Sequence, residues 1–314
     1  MRKSVFILTS LLMTSCSYKE LCYDHNHTGE VSIRYNWTNT PETALAGTTA
    51  LFYSGEGEPV RYDFTGMQGG PARLSPGSWQ VVSYNNDTEA ILYRGNTVES
   101  LEAYTRPSSL EEGTKLMTKS SMPKARGTEQ EPVILEPDLL WGGASEVFEV
   151  ADGQSHVIPV PMGERAAEIE VTIHNVPNLE YTSGLGGALS GLAGSVFVAD
   201  GKVGSECVTQ SFEVAATGPA TLQMRLNTFG HCPKAGEGPH NTHILTIYAV
   251  LADGSQWYYT TDVTVQMHDP VQNPNRYHIN LSLDQIPLPK PIINGSGFQP
   301  TVDSWQGVEI EIGM

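Results

Sequence analysis

Residues 167–174 read Ala167-Glu168-Ile169-Glu170-Val171-Thr172-Ile173-His174. Apolar residues at 167, 169, 171 and 173 alternate with polar ones, the period of a strand with one buried face. The same pattern recurs on either side. Val31, Ile33, Tyr35 and Trp37 alternate with Ser32, Arg34 and Asn36, and Leu245, Ile247, Ala249 and Leu251 form another face. Thr49 to Tyr53 and Val60 to Phe64 flank Gly55-Glu56-Gly57-Glu58-Pro59, a hairpin signature. Trp79 to Tyr84 follows the turn Pro76-Gly77. Asp-Gly occurs at 152–153, 200–201 and 253–254, each time between β-rich runs, and supplies the positive φ of tight turns. No apolar run keeps helical spacing. The expectation is an all-β chain built from two tandem β-sandwiches of roughly seven strands each.

The boundary between the two is placed near Pro161-Met162-Gly163, giving an N-terminal domain at 29–163 and a C-terminal domain at 164–314. Residues 105 to 132 are polar and carry Lys115, Lys119, Lys124 and Arg126. They are expected to form a long exposed loop of the first domain. The small-residue run Gly184 to Gly194 is expected to be a close-packed bend or loop. It lacks the Gly-Lys-Ser/Thr ending and the following helix of a phosphate loop. Val308, Ile310, Ile312 and Met314 alternate with Glu309, Glu311 and Gly313. This last strand is either an edge of its own sheet or a strand offered to another subunit through Val308, Ile310 and Ile312.

The amino-terminal residues have a different character. Arg2 and Lys3 precede a short apolar run from Val5 to Met13, and then Thr14-Ser15-Cys16. A basic stretch, a short apolar segment and small residues before a cysteine read as a lipoprotein signal peptide over 1–15. Cys16 would carry the lipid, and 16–28 would be the tether. Each buried lipid methylene contributes about 0.8 kcal/mol to membrane attachment.

The sequence holds 35 acidic and 18 basic residues, a net charge of −17. Removing Arg2 and Lys3 takes −17 to −19. Such a surface repels a nucleic acid or an anionic headgroup layer, so neither is an expected partner. The membrane contact is expected through the lipid alone. Of the cysteines Cys16, Cys22, Cys207 and Cys232, the last two lie in the same expected domain. They are candidates for a disulfide, with Cys22 left as the odd thiol. Two reduced, buried cysteines are the competing reading.

No Gly-x-Ser-x-Gly elbow or His-Glu-x-x-His motif occurs, and the many carboxylates single out no acid–base pair. No catalytic residue and no cofactor are expected. His231, Cys232, His240 and His243 are suitable ligand types for zinc, but no Cys-x-x-Cys accompanies them. Asp24, His25 and His27 form a weaker cluster. The reading is therefore of no metal site. Trp37, Trp79 and Trp257 sit at strand spacing and are read as core rather than as a sugar-binding platform.

Several stretches together carry a family likeness. They are Leu21-Cys22-Tyr23-Asp24-His25 behind the cysteine, Pro76 to Asp87, Pro137-Asp138-Leu139-Leu140-Trp141-Gly142, Arg165 to Ile173, and Leu189 to Gly194. The chain resembles the fimbrillin-like lipoproteins of Bacteroidales, in a family of uncharacterised function close to the fimbrial anchor proteins of FimB/Mfa type. The resemblance implies two transthyretin-like, Greek-key sandwiches on an outer-membrane lipid anchor, facing the cell surface. It also implies fimbrial subunits as partners, joined by strand exchange. Stalk subunits of such fimbriae lose an N-terminal strand after an arginine. Here Arg34 lies inside the first expected strand and Arg61 is the next arginine. That favours a non-catalytic anchor or minor subunit in surface assembly and adhesion. The alternative is a surface lipoprotein that binds glycans and has no part in fimbriae.

Overall fold

A computed structural model describes residues 28–38, 44–55, 57–233, 241–291 and 304–310. Cys16, Cys22, the Asp24, His25 and His27 cluster, His240 and Ile312 lie outside the described residues. No helix among the described residues is long and apolar enough to cross a membrane.

The alternating stretches are strands, and they build two β-sandwiches. In the first, Gly29–Asn36 is the middle of a three-stranded sheet. It runs parallel to Ser155–Pro161 and antiparallel to Pro71–Leu74. The facing sheet runs Gly163–Glu164, Trp141–Ala144, Gly77–Asn85, Gly47–Tyr53, Val60–Thr65. Val31, Ile33, Phe52, Leu74, Trp79, Val81 and Val160 fill the space between them. Arg34 and Arg61 both sit within strands, in register with Pro159 and Leu51.

The second sandwich is larger. Ala167–His174 pairs with Thr221–Thr228 on one side and, in parallel, with His278–Asp284 on the other. Facing it is a six-stranded sheet in the order Trp305–Glu309, Gln256–Asp262, Ile244–Leu251, Thr182–Ala193, Cys207–Glu213, Val133–Ile134. Ile169, Val171 and Ile173 point into the core beside Leu189, Leu222, Ile247 and Tyr259. Each fully buried aliphatic side chain contributes about 1.5–3 kcal/mol.

A third, small sheet joins the two bodies: Ser195–Phe197, Glu102–Thr105 and Ile91–Arg94. Tyr84, Ile91, Leu140, Val196, Val198 and Phe229 make the core beneath it. Arg165 crosses this junction, almost wholly buried. Its guanidinium donates to the carbonyls of Val198 (2.7 Å), Glu164 (2.9 Å) and Ala199 (3.1 Å). Desolvation depresses its pKa. The stretch Pro137 to Gly142 is structural at the same junction. The Asp138 carboxylate accepts from the amides of Glu89 and Ala90, both at 2.7 Å, and the Leu140 carbonyl accepts from Arg165 N at 2.7 Å.

Two expectations are corrected. Residues 105 to 132 are not an exposed loop of the first sandwich. They form a strap over the outer face of the second one's six-stranded sheet. The helix Leu110–Thr114 is capped by the Ser109 hydroxyl, which accepts from Glu112 N. Leu110, Met122, Val133, Ala188 and Tyr248 make a buried cluster under the strap. The strap ends in Val133–Ile134, a strand parallel to Cys207–Glu213. The run from 184 to 194 is also not a bend. It belongs to the central strand Thr182–Ala193. Its glycines make room: a Cβ at Gly186 would meet Thr114 of the strap at 2.5 Å, and one at Gly187 the Phe212 ring at 2.3 Å.

All three Asp-Gly pairs have glycine at positive φ. Two close hairpins, at 200–201 and 253–254. The pair at 152–153 instead connects Phe148–Val150 to Ser155–Pro161, which lie in different sheets.

Candidate functional site

A sheet edge is a row of backbone groups able to bind another strand. The six-stranded sheet has two edges, and both are closed by parallel strands distant in sequence from their neighbours. One is Val133–Ile134. The other is Trp305–Glu309, in register with Gln256 to Thr260.

Alternation sends the residues of Trp305–Glu309 to opposite faces. Val308 packs inward on the sandwich core, and Ile310, two residues further and just past the end of the strand, does the same. Both stay half-buried. Ile310 N donates to the Thr260 carbonyl at 2.8 Å, and the Thr261 hydroxyl donates to the Ile310 carbonyl at 3.0 Å. Beneath Ile310 the two sheets part. A pocket of about 320 Å³ opens there, lined by Ile173, Leu245, Ile247, Tyr259, Leu283 and Ile310 among others. Thr261, Asp284 and Gln285 add polar groups to its wall. Desolvation raises the pKa of Tyr259, whose hydroxyl donates to the Pro287 carbonyl at 3.2 Å.

On the outer face, Trp305 meets Tyr248 edge-on with ring centroids 5.4 Å apart, and its indole N–H donates to the Ser120 carbonyl of the strap at 3.3 Å. Gly307 lies under Tyr258. A Cβ there would come within 2.4 Å of the Tyr258 hydroxyl oxygen. That close approach marks the register of the whole strand.

The sequence-derived site residues are thus distributed as follows. Val308 and Ile310 pack against the second core, and Ile310 lines its pocket. Cys207 and Cys232 are joined in a disulfide with Cα atoms 5.1 Å apart. It ties the start of Cys207–Glu213 to the loop after Thr221–Thr228. The Cys232 sulfur is therefore not a zinc ligand. His231 and His243 do come together, and His268, which sequence spacing did not single out, joins them. It stands at the end of the short helix Thr264–Met267. No sequence signal connects it to the other two; only the fold does. Trp79 is buried, and Trp37 and Trp257 are half-buried against the two cores.

Comparisons with known proteins fit this architecture. A family model described as "Domain of unknown function (DUF5119)" matches residues 15–213. A protein of Bacteroides ovatus named "Putative fimbrium anchoring subunit Fim4B" is 35% identical over 102 residues, which is 32% of this chain and 30% of that relative. The chain therefore matches less than a third of that relative's length. Among solved structures, "a putative adhesin" from Bacteroides ovatus superposes with a TM-score of 0.58 at 19% identity, covering 89% of this chain and 100% of that one. The fimbrial anchor protein Mfa2 from Porphyromonas gingivalis gives 0.49 at 14% identity, over 81% of this chain and 90% of that one. The fold is thus shared with the solved structure described as "a putative adhesin".

Proposed function

We propose that this chain, which belongs to the DUF5119 family, anchors a fimbrium at the cell surface or serves as one of its minor subunits. In this reading it is non-catalytic, is held to the outer membrane by a lipid on Cys16, and meets its neighbour at the Gln256–Asp262 edge. What supports the fimbrial role is the 35% identity to a protein named as a fimbrium anchoring subunit.

The observation that carries the mode of assembly is the way Trp305–Glu309 docks. It is a parallel edge strand whose inward side chains are only half-buried above an open pocket. A strand of another subunit with apolar residues in the places of Val308 and Ile310 would make the same ladder hydrogen bonds and fill more of the pocket. Strand addition of this kind draws affinity from the backbone and specificity from alternate side chains. The pair Val308 and Ile310 is the proposed exchange site, with Ile312 next in the same alternation.

The test is made on cells. Locking Trp305–Glu309 onto its edge with cysteines in place of the register partners Tyr258 and Gly307 should abolish fimbriae while the protein stays lipid-labelled at the surface. Replacing Cys16 with serine should release both protein and fimbriae into the medium. Normal fimbriae on cells lacking the entire gene would sink the proposal.

A further inference from the structure

We infer that His231, His243 and His268 form a binding site for a divalent transition cation of the zinc class, at the end of the second sandwich where the strand Gln256–Asp262 finishes. The three rings come from separate places. His231 lies in the loop after Thr221–Thr228, in an isolated bridge with Leu192. His243 directly precedes Ile244–Leu251 and is wholly buried. His268 ends the short helix Thr264–Met267.

The ligand atoms converge. His243 Nε2 lies 3.2 Å from His231 Nδ1 and 3.0 Å from His268 Nε2, and all three ligating nitrogens fall within 4.8 Å of one another. Tetrahedral zinc with Zn–N bonds of about 2.0–2.1 Å places its nitrogens about 3.4 Å apart. Two sides of the triangle are slightly shorter than that and the third is no longer than 4.8 Å, so a cation would draw the rings into place by opening the short sides and setting the third.

The tautomer of His243 is set from behind. Its Nδ1 lies 3.2 Å from the Ser190 carbonyl, so the proton belongs on Nδ1 and the lone pair on Nε2. A backbone carbonyl behind a ligating imidazole is the usual arrangement for orienting it. Two further ring nitrogens then converge on one lone pair. Two N–H donors sharing it would make a crowded hydrogen bond, whereas a cation takes one lone pair from each ring. Imidazole suits zinc, copper and nickel more than calcium or magnesium.

The surroundings hold the rings in place. His243 N donates to the Thr264 hydroxyl at 2.8 Å, and Val263 N donates to the His243 carbonyl at 2.9 Å. The disulfide at Cys232 fixes the residue next to His231. Gly191 is required here. It has φ +74°, and a Cβ on it would meet the Thr242 carbonyl oxygen at 2.4 Å and His243 Nδ1 at 2.9 Å. A bound cation would staple the three segments at this end of the sheet.

The experiment uses the full chain, stripped with a chelator and titrated with zinc sulfate by calorimetry, alongside His268→Gln. His268 is only half-buried, so the variant should fold, which circular dichroism checks. One equivalent of zinc is expected in the parent. Losing a ligand should weaken binding by ~100-fold or more, since second-shell changes alone cost about 10–100-fold. Zinc at about a hundred times its dissociation constant should raise the parent's melting temperature by about 5 °C and leave that of His268→Gln unchanged. Cobalt should give strong visible bands in the parent only. Absence of zinc binding would overturn the site. Equal binding by parent and variant would also overturn it, by assigning the metal to histidines elsewhere.

Discussion

The two edges of the six-stranded sheet are closed in the same manner and held very differently. At one edge Val133 and Ile134 are 8% and 7% exposed, and the strap that delivers them is stitched down along its length. The Tyr248 hydroxyl donates to the Pro123 carbonyl at 2.6 Å, and the Glu131 carboxylate accepts from the Thr209 hydroxyl at 2.8 Å and from Gly191 N at 3.1 Å. Ser211 donates to the Ser109 carbonyl at 3.1 Å. At the other edge no residue of Trp305–Glu309 is fully buried. Its ties to the strap are the Trp305 contacts, and its ties to the core are Val308 and Ile310. The lesson is that parallel edge pairing alone does not determine permanence; the side chains around it do. One edge is sealed into the fold by buried side chains, and the other is held by half-buried ones, the condition that the proposed strand exchange requires.

The largest effect should come from loosening the locked edge. Tyr248 is fully buried beneath the strap, so Tyr248→Ala should cost about 3–5 kcal/mol in urea unfolding. An equal loss from deleting 304–314 would erase the distinction between the edges. Next is the disulfide. Replacing both Cys207 and Cys232 with alanine should cost about 2–4 kcal/mol, read as a lower urea midpoint. A midpoint unchanged from the parent would show that the loop bearing His231 is held without it.

Smaller effects are expected at the docked edge. Trp305→Ala should lower stability by only about 1–2 kcal/mol, because the ring is half-buried. Its sharper readout is limited proteolysis, with cleavage near 305–310 well before the rest of the chain. Cleavage elsewhere first would count against a docked strand. Gly307→Val should act on register more than on global stability. Its branched side chain would meet Tyr258, and the strand should undock with the urea midpoint nearly retained.

The smallest effect is a pH effect on the locked side. The Glu136 carboxyl accepts from Asn227 N at 2.7 Å, and desolvation raises its pKa above the usual carboxylate value. A raised folded value means that its contribution is fully present below the unfolded pKa and is lost as pH rises through the folded one. Glu136→Gln keeps the acceptor and removes the charge. The variant's advantage in melting temperature should therefore grow from about pH 4 to about pH 8. A constant difference would remove Glu136 from the account.

Much of this was legible in the chain. The strands at 31–36 and 167–174 announced themselves because each has one wet face and one dry face, which gives period two. Those at 79–84 and 245–251 are covered on both faces, and it is their run of apolar and aromatic residues that marks them as strands. The strap did not. Its buried residues, Leu110, Met122, Ala125 and Val133, are widely spaced among polar neighbours and follow no period. They cover the outside of a sheet, where a few anchors suffice. The glycines of 184–194 looked like a bend because small residues usually mark turns; here they thin a central strand so that the strap and Phe212 can lie close. The histidine triad was half visible. His231 and His243 are near in sequence, but His268 reaches them only through the path of Gln256–Asp262 and the short helix after it.

Hydrogen–deuterium exchange on the intact chain, read by mass spectrometry, tests the contrast between the edges most directly. The amides of 305–310, with those of Gln256–Asp262 that face them, should exchange through local opening at least ~100-fold faster than those of Val133–Ile134 and Cys207–Glu213, a difference of about 2.8 kcal/mol in opening free energy. Equal protection at both edges, lost together only on global unfolding, would contradict a replaceable strand.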